Sequence, residues 1–315
     1  RCAALVPGVR AGSWLRTGAA CGAARRASGR PAPRPPLAAR PVALSLTRVE
    51  VLIRDPYAIY ADKVLNLRPL DPIRHAPDAR DRGTVVHEIL ERFVRERPDD
   101  EDRVAARVRL LAITAQVLDV RVPWPAASAL WAARMDRAAD HFLTVDTASD
   151  GQSVLIEGKG ELVLQGLNFT LFGTPDRIDM LPSGKLHLID YKTGSPPTAD
   201  AQKSFAKQLH LAALLAEEGG FKGLGPQEVA RITYVGLGSA GKIAEDEITP
   251  EKLAAVRDGL YHLIGSYARR GQGYVARRAV FTERFPGDYD HLARFGEWEM
   301  TDSPDPQDVG EGAPA

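Results

Sequence analysis

Two carboxylates and a lysine stand close together in two segments whose pattern is that of β-strands. Asp190 and Lys192 follow an apolar run, and the strand period of two places both on the face that carries Leu186 and Leu188. Charged groups on a buried strand face are costly unless they are paired or bind an ion. Carboxylates that hold a divalent cation, beside a lysine that stabilises developing negative charge, suit metal-assisted phosphodiester hydrolysis.

The turn before Asp190 determines where the second carboxylate lies. Pro182-Ser183-Gly184 fits a three-residue hairpin loop, which sets Asp176 directly opposite Asp190. Opposed Cβ atoms in such a pair are about 5 Å apart, and two like charges so placed repel unless a proton or a divalent cation lies between them. A slip of one residue would send Asp176 to the other face. The alternative is therefore a surface ion pair between Asp190 and Lys192.

The segments around these residues alternate between helical and strand patterns. Thr47 with Glu50 forms a capping box that predicts a short helix, and Pro56 restarts it at a tolerated first position. Apolar spacing predicts further helices over 82–94, 101–119, 127–145, 199–217 and 249–270. Strands are predicted over 153–157, 160–166, 168–181, 185–192 and 230–236.

Charge and cysteine content narrow the class of protein. The chain of 315 residues balances 41 Lys and Arg against 41 Asp and Glu, so composition alone does not indicate a nucleic-acid binder. No run approaches the roughly 18 apolar residues of a membrane-spanning helix. Cys2 and Cys21 both lie near the first residue, which excludes disulfide frameworks, thiolate nucleophiles and cysteine-held metal sites from the rest of the chain and fits a reducing, cytoplasmic compartment.

Composition divides the chain into three parts. Residues 1–44 are rich in Ala, Arg and Pro and are predicted to be a flexible arm or linker, with an organellar transit peptide as the alternative. Residues 45–300 are predicted to form the folded domain, and 301–315 an acidic disordered tail. Because residue 1 is not Met, we expect this end to be internal to a longer chain.

The motif residues together resemble a known family. Pro175-Asp176 followed by Asp190-Tyr191-Lys192 is similar to the PD-(D/E)XK nuclease motif, and the forms DRID and IDYKTG resemble its RecB-like branch. That branch has a histidine in a G-x-x-x-H helix, matched by Gly83 and His87, and a glutamine in a later helix, matched by Gln208. The tyrosine that often stands four residues after the glutamine is Ala212 here, so this last motif is only partly kept.

The resemblance implies a fold and a set of roles. The fold would be α/β and restriction-endonuclease-like, with a central mixed sheet flanked by helices and with helical insertions. The implied metal ligands are Asp176, Asp190, His87 and the main-chain carbonyl of Tyr191, and the implied metal is Mg²⁺, with Mn²⁺ as a substitute. Lys192 would orient the attacking water or neutralise charge on the phosphate. Gln208 would position substrate or Lys192.

Within the branch, the flanking segments resemble the C-terminal nuclease domains of bacterial AddB proteins. The matching segments are 54–61 and 287–298. The resemblance implies DNA as substrate, mainly single strands delivered by an AddA-like helicase–nuclease partner subunit, and a role in double-strand break repair and recombination. Many relatives join these flanks through an iron–sulfur cluster; without cysteine here we expect no cluster, and packing around Tyr57, Tyr60, Phe295 and Trp298 instead. The alternatives are a non-catalytic DNA-clamp or interaction domain, and a standalone nuclease of another pathway.

Three further features have competing interpretations. The run from Gly236 to Lys242 fits two phosphate-binding patterns, but nothing after it can form the required helix, which favours a loop. Glu157 and Glu161 could approach the metal, although solvated strand carboxylates are the commoner case. Arg177 could contact a DNA phosphate or pair with Asp179.

Overall fold

The computed structural model describes residues 28–70, 73–238, 241–279 and 287–310. The helices are α1 (Leu46–Arg54), α2 (Pro56–Ile59), α3 (Ala79–Arg95), α4 (Arg103–Arg121), α5 (Pro125–Ala148), α6 (Ala199–Ser204), α7 (Gln208–Glu217) and α8 (Pro250–Tyr267), and a π-helical turn (Tyr60–Val64) extends α2. The strands are β1 (Arg30–Arg34), β2 (Ala43–Ser45), β3 (Gln152–Ile156), β4 (Gly160–Leu164), β5 (Phe169–Gly173), β6 (Arg177–Met180), β7 (Leu186–Lys192), β8 (Val229–Gly236), β9 (Ile243–Glu247) and β10 (Pro304–Asp308).

The central sheet has the strand order β3-β6-β7-β8-β9 and is mixed. β7 pairs antiparallel with β6 and parallel with β8, and β8 pairs antiparallel with β9. Two smaller sheets have the orders β2-β5-β4 and β1-β10. The predicted α/β fold with a mixed sheet flanked by helices is confirmed.

The hairpin between β6 and β7 has the predicted register. Ile178 lies opposite Leu188 and Arg177 opposite Ile189, so continuing the ladder by one residue sets Asp176 against Asp190. Gly184 closes the turn with φ +78°, a left-handed conformation that glycine adopts without a steric penalty.

β7 is covered by helices on both faces. Leu186 and Leu188 belong to a hydrophobic cluster that includes most of α7. Ile189 and Tyr191 point to the other side, into a second cluster formed with α3, α4 and α5. Because both faces are buried, Asp190 within this strand is only 1% exposed. The strand therefore holds its carboxylate in an environment that penalises an unpaired charge.

Three predicted elements have different boundaries in the structure. The predicted strand over 168–181 is two strands, β5 and β6, which belong to different sheets. The predicted helix over 199–217 is interrupted between α6 and α7, so that Gln208 begins a new helix. The first helix is capped by Ser45, whose Oγ accepts the N–H of Arg48, and not by Thr47. The run after Gly236 leads into strand β9, which agrees with the expected loop and leaves no helix there for a phosphate.

The predicted flexible arm and disordered tail are corrected where they are described. β1 and β10 pair in parallel, with Arg30 opposite Pro304 and Arg34 opposite Asp308. Arg30 is buried, and its guanidinium donates to the carbonyls of Ala276 and Arg277 at 2.9 and 2.8 Å. Prolines at alternate positions aim their missing donors to one side of each strand, so the ladder tolerates them. Residues 1–27, with Cys2 and Cys21, and 311–315 lie outside the described residues.

The two flanking segments pack together as predicted. Tyr57 and Tyr60 share one hydrophobic cluster with Trp298, and Phe295 packs against it. The hydroxyl of Tyr57 donates to the carbonyl of Leu292 at 3.4 Å. Within the described part of the chain, no helix is both long and apolar enough to cross a membrane.

Candidate functional site

Asp190 is the most buried charged group of the site. Its Oδ1 accepts a hydrogen bond from Gln208 Nε2 at 2.9 Å, and its Oδ2 lies 2.7 Å from Lys192 Nζ. Lys192 also donates to Gln208 Oε1 at 3.2 Å. The three predicted residues thus form one closed set, in which Gln208 contacts both Asp190 and Lys192.

Asp176 joins β7 to helix α3. Its Oδ2 accepts the backbone N–H of Tyr191 at 2.7 Å, which continues the β6–β7 pairing through a side chain. Its Oδ1 lies 3.1 Å from Nδ1 of His87. The structure therefore brings His87 to Asp176. Tyr191 contacts the site through its N–H, and ligation by its carbonyl stays a prediction.

Helix α3 positions His87 through its capping and its apolar face. Asp78 and Asp81 form a reciprocal capping box that defines where the helix begins. Val85, Ile89 and Phe93 are buried against the neighbouring helices. Rotation of the helix is thereby set, and His87 at the edge of this face points toward Asp176.

Glu157 completes a cluster that the sequence interpretation had set aside. Donor atoms of His87, Glu157 and Asp176 all lie within 4.8 Å of one another. Glu157 ends β3 with φ +51°, an unfavourable conformation for a residue with a side chain, while its N–H donates to the carbonyl of Asp176 at 3.1 Å. Its proximity follows from β3 lying beside β6, and strand order could not be read from the sequence. Glu161 on β4 is exposed.

Glu50 is a second residue at the site whose role was not predicted. The sequence suggested that it caps its own helix, α1. Instead its Oε1 accepts the backbone N–H of Gln208 at 2.8 Å, at the first turn of α7. Burial raises the pKa of Glu50, although this hydrogen bond and the charge of Lys192 oppose the rise. Glu50 therefore holds the start of the helix that presents Gln208 to Asp190 and Lys192.

The electrostatics show a site short of positive charge. Burial and the neighbouring Asp176 raise the pKa of Glu157 to about 7. The same two causes, burial first and Asp176 second, raise the pKa of Asp190. Burial lowers the pKa of His87, but the hydrogen bond to Asp176 and the surrounding carboxylates more than compensate and raise it. Each shift reflects carboxylates held close together in a partly dry site.

This donor set fits a divalent cation. Carboxylate oxygens and an imidazole nitrogen are ligands for Mg²⁺ or Mn²⁺, with oxygen the preference of the harder ion. A cation among His87, Glu157 and Asp176 would relieve the repulsion that raises these pKa values. Asp190, held by Lys192 and Gln208, lies close enough to Asp176 for their charges to interact.

Replacing Glu157 with glutamine is expected to weaken metal binding. Glu157→Gln keeps the size of the side chain but removes one negative charge from the cluster, and loss of a supporting group at a metal site typically costs about 10- to 100-fold in affinity. Titration calorimetry with Mn²⁺ measures this directly. Glu161→Gln, an exposed glutamate on β4, is the matched control. Equal Mn²⁺ affinity in the Glu157→Gln and wild-type proteins would remove Glu157 from the site.

The sequence matches a known family and several longer proteins. Residues 43–283 match the model of the PD-(D/E)XK nuclease superfamily. An uncharacterized protein of Rickettsia bellii is 29% identical over 250 residues, which are 73% of this chain and 30% of that protein. An uncharacterized protein of Rickettsia typhi is 29% identical over 212 residues, 63% of this chain and 24% of that protein. The chain therefore spans less than a third of the length of these relatives.

Two solved structures are similar at a low level. The "Putative exonuclease" of Eubacterium rectale aligns with 82% of this chain and 95% of that chain, with a TM-score of 0.41 and 9% identity. The crystal structure of SSO0001 aligns with 58% of this chain and 86% of that chain, with a TM-score of 0.28 and 17% identity. At these TM-scores neither likeness carries an argument about function.

Proposed function

Since the chain belongs to the PD-(D/E)XK nuclease superfamily, we propose that it hydrolyses DNA phosphodiester bonds with the help of Mg²⁺, for which Mn²⁺ can substitute. The observation that carries the proposal is the closed set of Asp190, Lys192 and Gln208 beside the cluster of His87, Glu157 and Asp176. An acidic cluster next to an ordered ammonium group provides for both metal and phosphate.

The chain's own residues would divide the work between them. His87, Glu157, Asp176 and Asp190 would hold the cation, which when bound polarises the phosphate and lowers the pKa of an attacking water. Lys192 uses two of its three ammonium donors on Asp190 and Gln208 among the described residues. Its side chain is 35% exposed, so the remaining donor can reach a phosphate oxygen or the water. Gln208 keeps that donor in place.

The substrate and pathway are proposed from the resemblance of the motifs and flanks to AddB-type domains. On that basis the substrate is single-stranded DNA delivered by an AddA-like helicase subunit, cleaved by an exonuclease during double-strand break repair. The absence of cysteine from residues 45–300 supports work in the reducing cytoplasm. A pulldown that recovers a helicase subunit would separate this role from that of a standalone nuclease.

Degradation of end-labelled single-stranded DNA by the purified chain tests the proposed activity. Cleavage is expected with Mg²⁺ or Mn²⁺ and not with EDTA. Lys192→Ala is expected to reduce the rate about 10²- to 10³-fold, the usual effect of removing one group that stabilises transition-state charge. Lys185→Ala, at the exposed start of the same hairpin strand, should cleave like the wild type.

Two results would contradict the proposal. If the wild type shows no cleavage in either metal, even with the helicase partner added, the non-catalytic clamp becomes the better explanation. If cleavage survives in Lys192→Ala at the wild-type rate, the site lies elsewhere.

A further inference from the structure

A cationic cleft of about 840 Å³ adjoins the candidate active site. Its walls come from α3, α5 and the chain that follows β7 and β8. Val86 and Thr193 line it, and these are the sequence neighbours of His87 and Lys192. The cleft therefore begins where the active site ends, along the same face of α3.

The charged groups of this cleft are all basic. They are Arg82 on α3 together with Arg134, Arg137 and His141 on α5. Arg134 and Arg137 are exposed. Over the described ranges of the chain, none of these three arginines forms an ion pair with a carboxylate. Residues 45–315 are acidic on balance, so this grouping runs against the charge of the chain around it.

Arg82 has hydrogen-bonding capacity that the surrounding protein does not use. Its Nη2 donates a long bond of 3.4 Å to the hydroxyl of Thr193. Its Nε is buried and has no hydrogen-bond partner among the described residues. Burial, and then the positive charge of Arg134, lower the pKa of Arg82. Two guanidinium groups are thus held close enough to repel, an arrangement that an anion between them would favour.

His141 adds a second unused polar atom. Its Nε2 is also buried without a partner in the described part of the chain. Beside these basic groups the cleft has an apolar floor that includes Trp131 and Met135. Basic side chains over an apolar, partly aromatic floor are typical of surfaces that follow a single nucleic-acid strand.

We propose that this cleft binds the phosphates of the DNA strand next to the bond that is cleaved, with Arg82 and Arg134 holding one phosphate between them. The inference rests on the proposed function for the identity of the ligand, since a phosphodiester substrate at Lys192 must continue past Thr193 on one side. Arginine suits this task because its planar donors match two phosphate oxygens at once. Arg137 lies one turn along α5 and would contact the next part of the strand.

Binding measurements on the full chain test the cleft without turnover. The fluorescence anisotropy of a labelled single-stranded DNA is titrated in EDTA at several salt concentrations. We expect Arg82→Gln/Arg134→Gln to weaken binding at least about 10-fold. Because each lost phosphate contact on a single strand lowers the salt slope by about 0.7, loss of both should lower it by about 1.4. Arg107→Gln, which breaks an exposed ion pair on the outer side of α5, should leave binding unchanged.

A conservative variant separates charge from folding. Arg82→Lys/Arg134→Lys keeps both charges and should retain most of the salt slope, whereas a merely structural role would not be rescued in this way. In cleavage assays with Mg²⁺, the glutamine variant should raise KM and leave kcat within about twofold, as expected for a contact made equally in the ground and transition states. An RNA strand of the same sequence is the second arm, and tighter binding of RNA would overturn the assignment to DNA.

The outcomes distinguish the two proposals. If the wild type cleaves DNA and the double glutamine variant binds and cleaves equally well, the cleft proposal is overturned and the nuclease stands. If the wild type binds DNA through Arg82 and Arg134 but never cleaves it, the cleft stands and the nuclease is overturned. Failure of the wild type to bind any strand would overturn the cleft.

Discussion

Asp190→Asn is expected to reduce metal-dependent DNA cleavage by about 10³-fold or more, at the upper end of the effect of removing one electrostatic group from a buried site. Asparagine fills the same volume but brings no charge for the cation or for Lys192. An amide can still accept from Gln208, so the local packing should survive. The initial rate of release of labelled nucleotides, measured at saturating Mg²⁺, gives the size of the effect.

Stability measurements show whether this loss is chemical or structural. Burial and the nearby Asp176 raise the pKa of Asp190, which means that folding disfavours its charged form. In metal-free buffer at neutral pH, Asp190→Asn should therefore unfold at the same urea concentration as the wild type or a higher one. Asp150→Asn, at an exposed aspartate that pairs with Arg231, is the control and should keep full activity. An inactive Asp190→Asn protein that is also much less stable would leave a folding defect as the explanation.

The second large effect is expected at a buried ionic network beneath the site. Arg177 is 2% exposed and Asp179 is 0% exposed, and Arg177 Nε donates to Asp179 Oδ1 at 2.6 Å. Its Nη1 donates to Asp146 Oδ1 at 2.5 Å. Burial alone lowers the pKa of Arg177, but Tyr191 and these carboxylates outweigh it and raise the pKa above its usual value. This network decides between the two interpretations of Arg177: it pairs with Asp179 inside the protein.

Asp179→Ala should lower the free energy of unfolding by about 3–5 kcal/mol, because it leaves a buried guanidinium without a main partner. The hydroxyls of Ser149 and Ser153 also donate to this carboxylate, at 3.0 and 2.7 Å, and would lose their acceptor. Urea unfolding followed by circular dichroism measures the change. Asp150→Ala removes an exposed arginine–aspartate pair and should cost no more than about 1 kcal/mol. Similar values for the two variants would mean that burial of the network adds little.

The part of the site carried by local geometry was predictable, and the part carried by long-range pairing was not. Pro182-Ser183-Gly184 determines the hairpin register within a few residues, so the opposition of Asp176 and Asp190 could be read from spacing. His87 and Gln208 came from the resemblance of the motifs to a family. Glu157 was set aside because only the order of strands in the sheet brings it to Asp176.

Predictions failed where composition misleads or where a partner lies far along the chain. Glu50 was assigned to its own helix because a capping box is a local pattern, whereas its partner Gln208 is 158 residues away. The proline-rich residues 30–34 were predicted to be flexible because proline is rare inside sheets. Their partner strand is separated from them by nearly the whole domain, and only the tertiary fold shows that the prolines occupy positions that do not donate.

The parallel pairing of β1 with β10 has a mechanical consequence. Tension on the chain from outside the domain pulls β1 at its first residue and β10 at its last, which are opposite ends of a parallel pair. The ladder is then sheared along its length, and its hydrogen bonds must break together instead of one after another. Tyr274 and Ala276 donate to the carbonyls of Pro33 and Pro31 at 2.9 and 3.0 Å and brace β1 from its other edge. A domain clamped in this way can transmit a pulling force along its chain before the strands around Asp190 separate.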